Sequence, residues 1–298
     1  MDQEMTPMDP CEIIRGQKCE LDPHPLVDVA VSAGPFDRCQ VFQCHRCGHG
    51  KAFPVIEDVS VLYDGRDTQD YQVIDSRMSS AIKRRFFRRE AAKMLSQADF
   101  DEGTIVDFGC GAGMVTEELA RVSGQGSRVV GMDFFPDPPA RLSRAQYIPF
   151  AEKDRIGSQS DLLVCMHVVE HDNDPVQFLK GLRGLMKPSA RAIIEVPNIA
   201  CPWASYFKGN WDNWYLPFHR QHFSRQSFDA CLQAAGFTIE KHIDVSIPSM
   251  GRSIARSLGR ANTSIFVVAS GVLMPVQQLA EKVSGEPSAL RAVVKLAH

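Results

Sequence analysis

Apolar and polar positions change period several times along the chain, and each change predicts an element. Thr104-Ile105-Val106-Asp107-Phe108 is a short apolar run that reads as a strand. Val115, Leu119 and Val122 then recur at helical spacing, with Gly124 after them as a stop. Arg128 to Met132 is a second apolar strand ending at Asp133, and Ala145 to Phe150 forms a short third. Asp161 to Met166 is apolar almost throughout, as expected of a parallel strand covered on both faces. Asp174 caps a helix with Pro175 at its first position, Phe178, Leu182 and Leu185 inward, and Pro188 as its stop. Arg191 to Val196 is the next strand. Ser224 caps a helix with Phe228, Leu232 and Ala235 inward and Gly236 at its end. Phe237 to Ile247 and Ser264 to Ala269 read as two closing strands, and residues 271–298 as a helical tail that could pack on the domain or on a partner subunit.

Upstream of residue 104 the pattern is weaker. Met78 to Ser96 reads as a helix with Met78, Ile82, Phe86 and Leu95 inward and a basic outer face. Residues 1–60 lack a long periodic element. Strands alternating with helices predict an α/β protein with a mainly parallel sheet. The chain divides into 1–60, a small cysteine-rich cap; 61–270, the main domain; and 271–298, the tail.

Between Phe108 and the helix stands Gly109-Cys110-Gly111-Ala112-Gly113. Glycines allow a sharp turn and let a ligand approach backbone N–H groups, and the helix N-terminus behind them carries free donors. Asp133 lies twenty residues past Gly113, where a carboxylate can accept both hydroxyls of a ribose. Met114 occupies the position where a dinucleotide fingerprint needs a small residue, and the Gly-Lys-Ser/Thr of a P-loop is absent. Asp107 would repel a phosphate but could meet an ammonium. A ligand with adenosine at one end and an amino acid at the other satisfies both acids.

The run Val106 to Gly113 closely resembles the first motif of class I S-adenosylmethionine (SAM)-dependent methyltransferases, and the passage from Asp161 to Asn198 resembles their second half, with Val169-Glu170-His171 before the helix at Pro175. The resemblance implies a Rossmann-like seven-stranded sheet with an antiparallel last strand. It implies SAM as cofactor, held by Asp107, Gly109, Cys110, Gly111, Gly113, Asp133, Phe134, Met166 and His167. Glu152 and Asp154 are candidates for the adenine. Glu170 and His171 could position the acceptor or bind a divalent ion.

Residues 198–224 hold all three tryptophans (Trp203, Trp211, Trp214) with several other aromatics, which suggests a substrate lid or wall. The segment closes with Pro217-Phe218-His219-Arg220-Gln221-His222-Phe223-Ser224. The catalytic candidates are His219, His222 and His171, since histidine moves protons near neutral pH.

Five of the nine cysteines fall in the first 47 residues, a clustering that points to metal and away from a disulfide framework. Cys44-His45-Arg46-Cys47-Gly48 has the form of one zinc knuckle. Cys19 and His24 are the preferred partners of Cys44 and Cys47; Cys39, Cys11, His45 and His49 compete with them. Zinc is therefore the second expected cofactor, in a structural role.

Net charge is −3 and hydrophobic content 44%, so general nucleic-acid binding is not expected. The acidic start and the lack of an eighteen-residue apolar stretch predict a cytoplasmic protein with no membrane partner. The expected activity is methyl transfer to a small-molecule acceptor, at oxygen in preference to a sugar carbon, with a homodimer possible. The rival reading is a non-catalytic SAM-binding or regulatory protein on the same fold.

Overall fold

In a computed structural model that describes residues 21–31, 34–62, 77–261 and 263–297, three short strands come first: β1 (Val27–Ala30), β2 (Arg38–Gln43) and β3 (Gly50–Phe53). Helix α1 (Arg77–Gln97) leads into β4 (Thr104–Phe108), α2 (Met114–Val122), β5 (Arg128–Asp133), β6 (Gln146–Pro149), β7 (Ser160–Met166), α3 (Pro175–Arg183) and β8 (Met186–Pro197). The aromatic segment holds α4 (Pro202–Phe207) and β9 (Gln221–His222). The chain closes with α5 (Arg225–Ala234), β10 (Phe237–Val245), α6 (Met250–Ser257), α7 (Ser264–Ser284) and β11 (Ala289–Leu296).

Seven strands form one sheet in the order β10-β11-β8-β7-β4-β5-β6. Strands β4 to β8 are parallel, and β11 runs antiparallel to both β8 and β10. Alternation along each strand builds two apolar layers. Val106, Val130, Leu163, Cys165 and Ile194 face α3 and α5, while Ile105, Val129, Leu162, Val164 and Ile193 face α1 and α2. The order of connection reverses between β4 and β7, so a crevice opens at their carboxyl ends, where open α/β sheets take ligands.

The C-terminal third differs from the sequence reading. Ser264–Ala269 is not a strand but the start of α7, because its apolar spacing continues helically to Ser284 and stops only at Gly285, which has φ +72°. The helical tail therefore ends at residue 284. The seventh strand is β11, inserted inside the sheet with both faces covered. Two smaller differences have local causes. Helix α3 ends at Gly184, and Pro188 lies within β8. Phe86 is exposed, whereas Ala91, Met94 and Leu95 form the buried side of α1; the side chains of Met78 and Ile82 lie outside the described residues.

The cap is not confined to residues 1–60. Strand β9 completes its sheet, order β1-β2-β3-β9, by pairing Gly50 with His222 and Lys51 with Gln221. Trp211 and Trp214 are fully buried and share a cluster with Val27, Val41 and Ala52 of the cap. The tryptophans expected on a lid over 198–224 thus form the core that joins cap to sheet, and Tyr206 is the aromatic of that segment left in solvent. Ser224 completes the joint. Its hydroxyl donates to the Cys47 carbonyl and accepts from the N–H of Ser227 at the start of α5.

Replacing Ser224 by alanine removes a helix cap and the hydrogen bond that its hydroxyl donates to the Cys47 carbonyl. Urea unfolding of Ser224→Ala should show a loss of about 1–3 kcal/mol, with the cap and main domain still unfolding together.

Candidate functional site

The glycine loop is built on β5. The N–H groups of Gly109 and Cys110 both donate to the Met132 carbonyl, at 2.8 and 2.9 Å, which folds the loop back across the strand end. Gly109, Gly111 and Gly113 all have positive φ. Their reasons differ. A side chain on Gly109 would lie 2.2 Å from Val168, and one on Gly113 2.7 Å from Leu142, so both are packing glycines. A side chain on Gly111 would meet nothing within 4 Å. Gly111 is therefore the position that keeps open space above the loop. The Cys110 thiol turns the other way, against Gly131, and burial followed by the nearby Asp107 and Asp133 raises its pKa.

Asp133 sits at the end of β5, buried, and accepts from the N–H of Gly111 at 2.7 Å and of Phe134 at 2.8 Å. Burial raises its pKa, and these N–H groups oppose the rise. The Phe135 N–H also acts on this carboxylate, whose acceptor capacity still leaves room for a hydroxyl donor. Phe134 is 43% exposed beside it, its ring tilted by 34° against that of Phe135 with centroids 4.0 Å apart. Tyr147, which sequence reasoning missed, donates to the Phe135 carbonyl and fixes this turn. Asp107 is buried under the loop, where the Thr116 hydroxyl donates to it at 2.6 Å. Burial pushes its carboxyl up to about 6 against that hydrogen bond, and Asp133 adds to the rise. Glu152 and Asp154 lie exposed, and Glu152 pairs with Arg155, well suited to solvent and not to an enclosed adenine.

Across the crevice, β7 ends at Met166, and His167 follows with φ +55°. The His167 ring lies between two buried carboxylates: Nε2 is 2.9 Å from Glu195 Oε1, and Nδ1 is 3.5 Å from Glu170 Oε1. Burial favours the neutral ring, but the two glutamates outweigh it and hold the pKa near 10. Arg291 on β11 extends the network, donating to the other Glu195 oxygen at 2.6 Å. Neither Glu195 nor Arg291 was singled out from sequence. A charged residue inside an apolar strand was the available signal.

Glu170 is completely buried, and beyond the long contact of Oε1 with His167 neither of its oxygens accepts a hydrogen bond among the described residues. His219 Nε2 stands 3.6 Å from it. The His219 Nδ1–H donates to the Asn213 carbonyl at 2.9 Å, which leaves Nε2 as the lone-pair nitrogen. The rings of His171 and His219 are 4.8 Å apart. Burial lowers the pKa of both. One donor atom from each of Glu170, His171 and His219 lies within 4.8 Å of the others, and no further cluster of three metal-type donors occurs among the described residues. His222 is enclosed beside Trp214, its Nε2 unpartnered, with burial holding its pKa at about 3.

The expected zinc site is described only in part. Cys44 and Cys47 are buried on one tight turn, closed by the Gly48 N–H donating to the Cys44 carbonyl, with Gly48 at φ +68°. That turn fits two thiolate ligands. Cys11 and Cys19 lie outside the described residues. His24 and His45 are exposed. His49 is removed as a ligand because both ring nitrogens are engaged, with Gln221 at 2.9 Å and Ser227 at 3.3 Å.

The sign of the His167 shift gives a pH window. A folded-state pKa raised from an unfolded value near 6.5 to about 10 contributes stability in full below pH 6.5, and that contribution fades as pH rises toward 10. Nitrogen-detected NMR at pH 8 should find His167 carrying protons on both ring nitrogens, and Glu195→Gln should bring its titration down toward neutrality.

Comparison with known proteins identifies the family. A family model described as a methyltransferase domain matches residues 75–242, more than half of the chain. The chain is 31% identical over 105 residues to a ubiquinone biosynthesis O-methyltransferase of Aeromonas salmonicida and 35% identical over 104 residues to that of Cereibacter sphaeroides. Each alignment covers 32% of this chain, and 43% and 41% of those proteins, so the chain spans about two fifths of the length of the curated relatives it matches. Among solved structures, a SAM-dependent methyltransferase from Archaeoglobus fulgidus aligns with TM-score 0.45 at 17% identity, over 71% of this chain and 94% of that one. By its family match, its sheet order and its glycine loop, the chain belongs to the class I SAM-dependent methyltransferases.

Proposed function

We propose that the protein transfers a methyl group from SAM to a hydroxyl of a small-molecule acceptor. The observation that carries this reading is the pairing of two poles across one crevice. Asp107, Gly111 and Asp133 lie on one side, and Glu170, His171 and His219 on the other, with Val168 packed on Gly109 between them.

The first pole fits the cofactor on its own evidence. Gly111 leaves space above the loop, Asp133 has lone pairs for ribose hydroxyls, and Phe134 offers an exposed ring for an adenine. Asp107 has the form of a carboxylate awaiting a cation, since burial holds it near 6 with only a hydroxyl to offset the penalty. SAM supplies an electrophilic methyl on a sulfonium, so the protein needs chiefly to align an acceptor and accept its proton. Gly109, Cys110 and Gly113 shape the loop, and Met166 and His167 form the facing strand end.

At the second pole His219 is the general base. Asn213 fixes the tautomer that presents the Nε2 lone pair, and the adjacent Glu170 carboxylate stabilises the imidazolium formed as the hydroxyl oxygen takes the methyl. His171 orients the acceptor. His222, walled in by Trp214 and the cap, supports the loop and does not exchange protons. The curated relatives named as O-methyltransferases support oxygen as the acceptor atom.

One observation favours a second reading of the same pole. Two neutral imidazoles beside a buried carboxylate that makes no close hydrogen bond among the described residues form a donor set suited to a divalent cation, whose charge would lower the pKa of a bound hydroxyl. Prolonged chelation decides between the two: activity lost and restored by added metal supports the cation, while unchanged activity supports His219 alone.

The test is transfer of labelled methyl from SAM to a panel of phenols, catechols and sugar hydroxyls. His219→Gln should lower kcat by about 10²–10⁴-fold, with little change in the KM for SAM. Absence of transfer to every acceptor, alongside intact SAM binding, would favour the non-catalytic alternative. SAM affinity itself should be level above pH 7 and fall below about pH 6, as Asp107 gains a proton and loses its attraction for the ammonium. Asp107→Asn should bind more weakly and with no such slope.

A further inference from the structure

Helix α7 is arranged inside out. Its buried side carries Ser270, Gln277 and Glu281. The Gln277 amide donates to the Ile247 carbonyl and to Glu281, and Glu281 accepts from the Trp203 indole at 3.1 Å. Gly251 of α6 comes so close that a side chain there would meet the Phe266 carbonyl at 1.9 Å. The inner face, where Leu273 and Ala280 also pack beside Trp203 and Met250, thus lies against α4 and α6. The outer face holds Ile265, Val268, Val272, Val276, Leu279 and Val283, between 56% and 80% exposed. Steps of three and four residues keep these six on one face over about 27 Å, with Pro275 inside the helix near the middle of the stripe. Lys282 is the charged side chain beside it.

Polar groups turned inward and aliphatic groups turned outward reverse the usual sidedness of a surface helix. The apolar area exposed by the stripe is on the order of 600–700 Å², above what a monomer ordinarily leaves uncovered. Doubled, it reaches the range of a stable protein–protein interface.

The spacing identifies the occupant. About residue 274 the stripe mirrors itself to within one residue: Ile265 corresponds to Val283, Val268 to Leu279, and Val272 to Val276. An antiparallel copy would set every apolar position against another, as a twofold interface requires. A membrane surface fits less well, because an interfacial helix of this kind carries lysines and arginines along its polar face, and the polar face of α7 is buried among hydrogen bonds.

We propose that α7 is a homodimer interface, with two copies packed antiparallel across a twofold axis near residue 274. Because the inner face of α7 holds Trp203, this pairing braces the aromatic segment from outside. The proposal does not rest on the methyl-transfer reading.

Sedimentation velocity of the full chain from 1 to about 100 µM tests it. The wild type should sediment at twice the chain mass. The double variant Val272→Lys/Val276→Lys should weaken the dimer at least 100-fold with an unchanged circular dichroism spectrum. If that variant fails to fold, Val272→Cys/Val276→Cys, mildly oxidised at low concentration, keeps the test open, since each cysteine would face the other across the axis and give a covalent dimer. A wild-type chain that stays monomeric over this range overturns the proposal, whether or not it pellets with anionic vesicles. So does a dimer that the lysines leave intact, or a cysteine pair that yields no cross-link.

Discussion

A buried line of alternating charge ties the last strand to the site. Arg291 on β11 holds Glu195 on β8, Glu195 holds His167 beyond β7, and His167 faces Glu170. Burial alone would disfavour the ionised form of Glu195, but Arg291 and His167 reverse that and keep its pKa low. Removing one member of such a chain leaves an uncompensated charge in a medium that cannot solvate it. The network therefore fixes where β11 inserts and how the loop after β7 turns, including the left-handed backbone at His167. Glu90 and Gln97 on α1 also reach Arg291, so the helix preceding the first sheet strand is held by the same arginine.

The two poles of the crevice are electrostatically distinct as a consequence. On the loop side two carboxylates, Asp107 and Asp133, are both buried, and Asp133 adds to the cost of ionising Asp107. A cationic ligand relieves that cost. On the far side the histidines are neutral through burial, apart from His167, which its glutamates keep charged. An unmet demand for positive charge at one end and a lone-pair nitrogen at the other are the features on which the proposed methyl transfer to oxygen rests. The aromatic segment contributes by fixing His219, since the Asn213 carbonyl that sets its tautomer lies in the turn held by Trp211 and Trp214.

The part of the fold that could be read in sequence is the part governed by local rules. The strands at 104–108 and 128–133, the glycine loop and Asp133 follow from spacing and backbone conformation, and all stand where that reading put them. The C-terminal elements depend on tertiary partners. The β11 strand contains Arg291 within an Ala/Val run, and nothing local indicates that Glu195, nearly a hundred residues earlier, will neutralise it. Ser264–Ala269 is equally apolar as strand or helix when read as a short run, and its helical identity shows only in the spacing that continues to Ser284. The tryptophans were read as a lid because their density was visible and their burial was not. Of the three candidate histidines, His171 and His219 meet at Glu170, whereas His222 is claimed by the cap through β9.

The most direct measurement is a calorimetric titration of the full chain with SAM, repeated on Asp133→Ala. The account predicts a single site with micromolar affinity in the wild type and a loss of at least tenfold in the variant, with the variant still folded. Equal affinity in the two proteins, or no heat of binding in the wild type at millimolar SAM, would contradict the assignment of the glycine loop and Asp133 as the cofactor site.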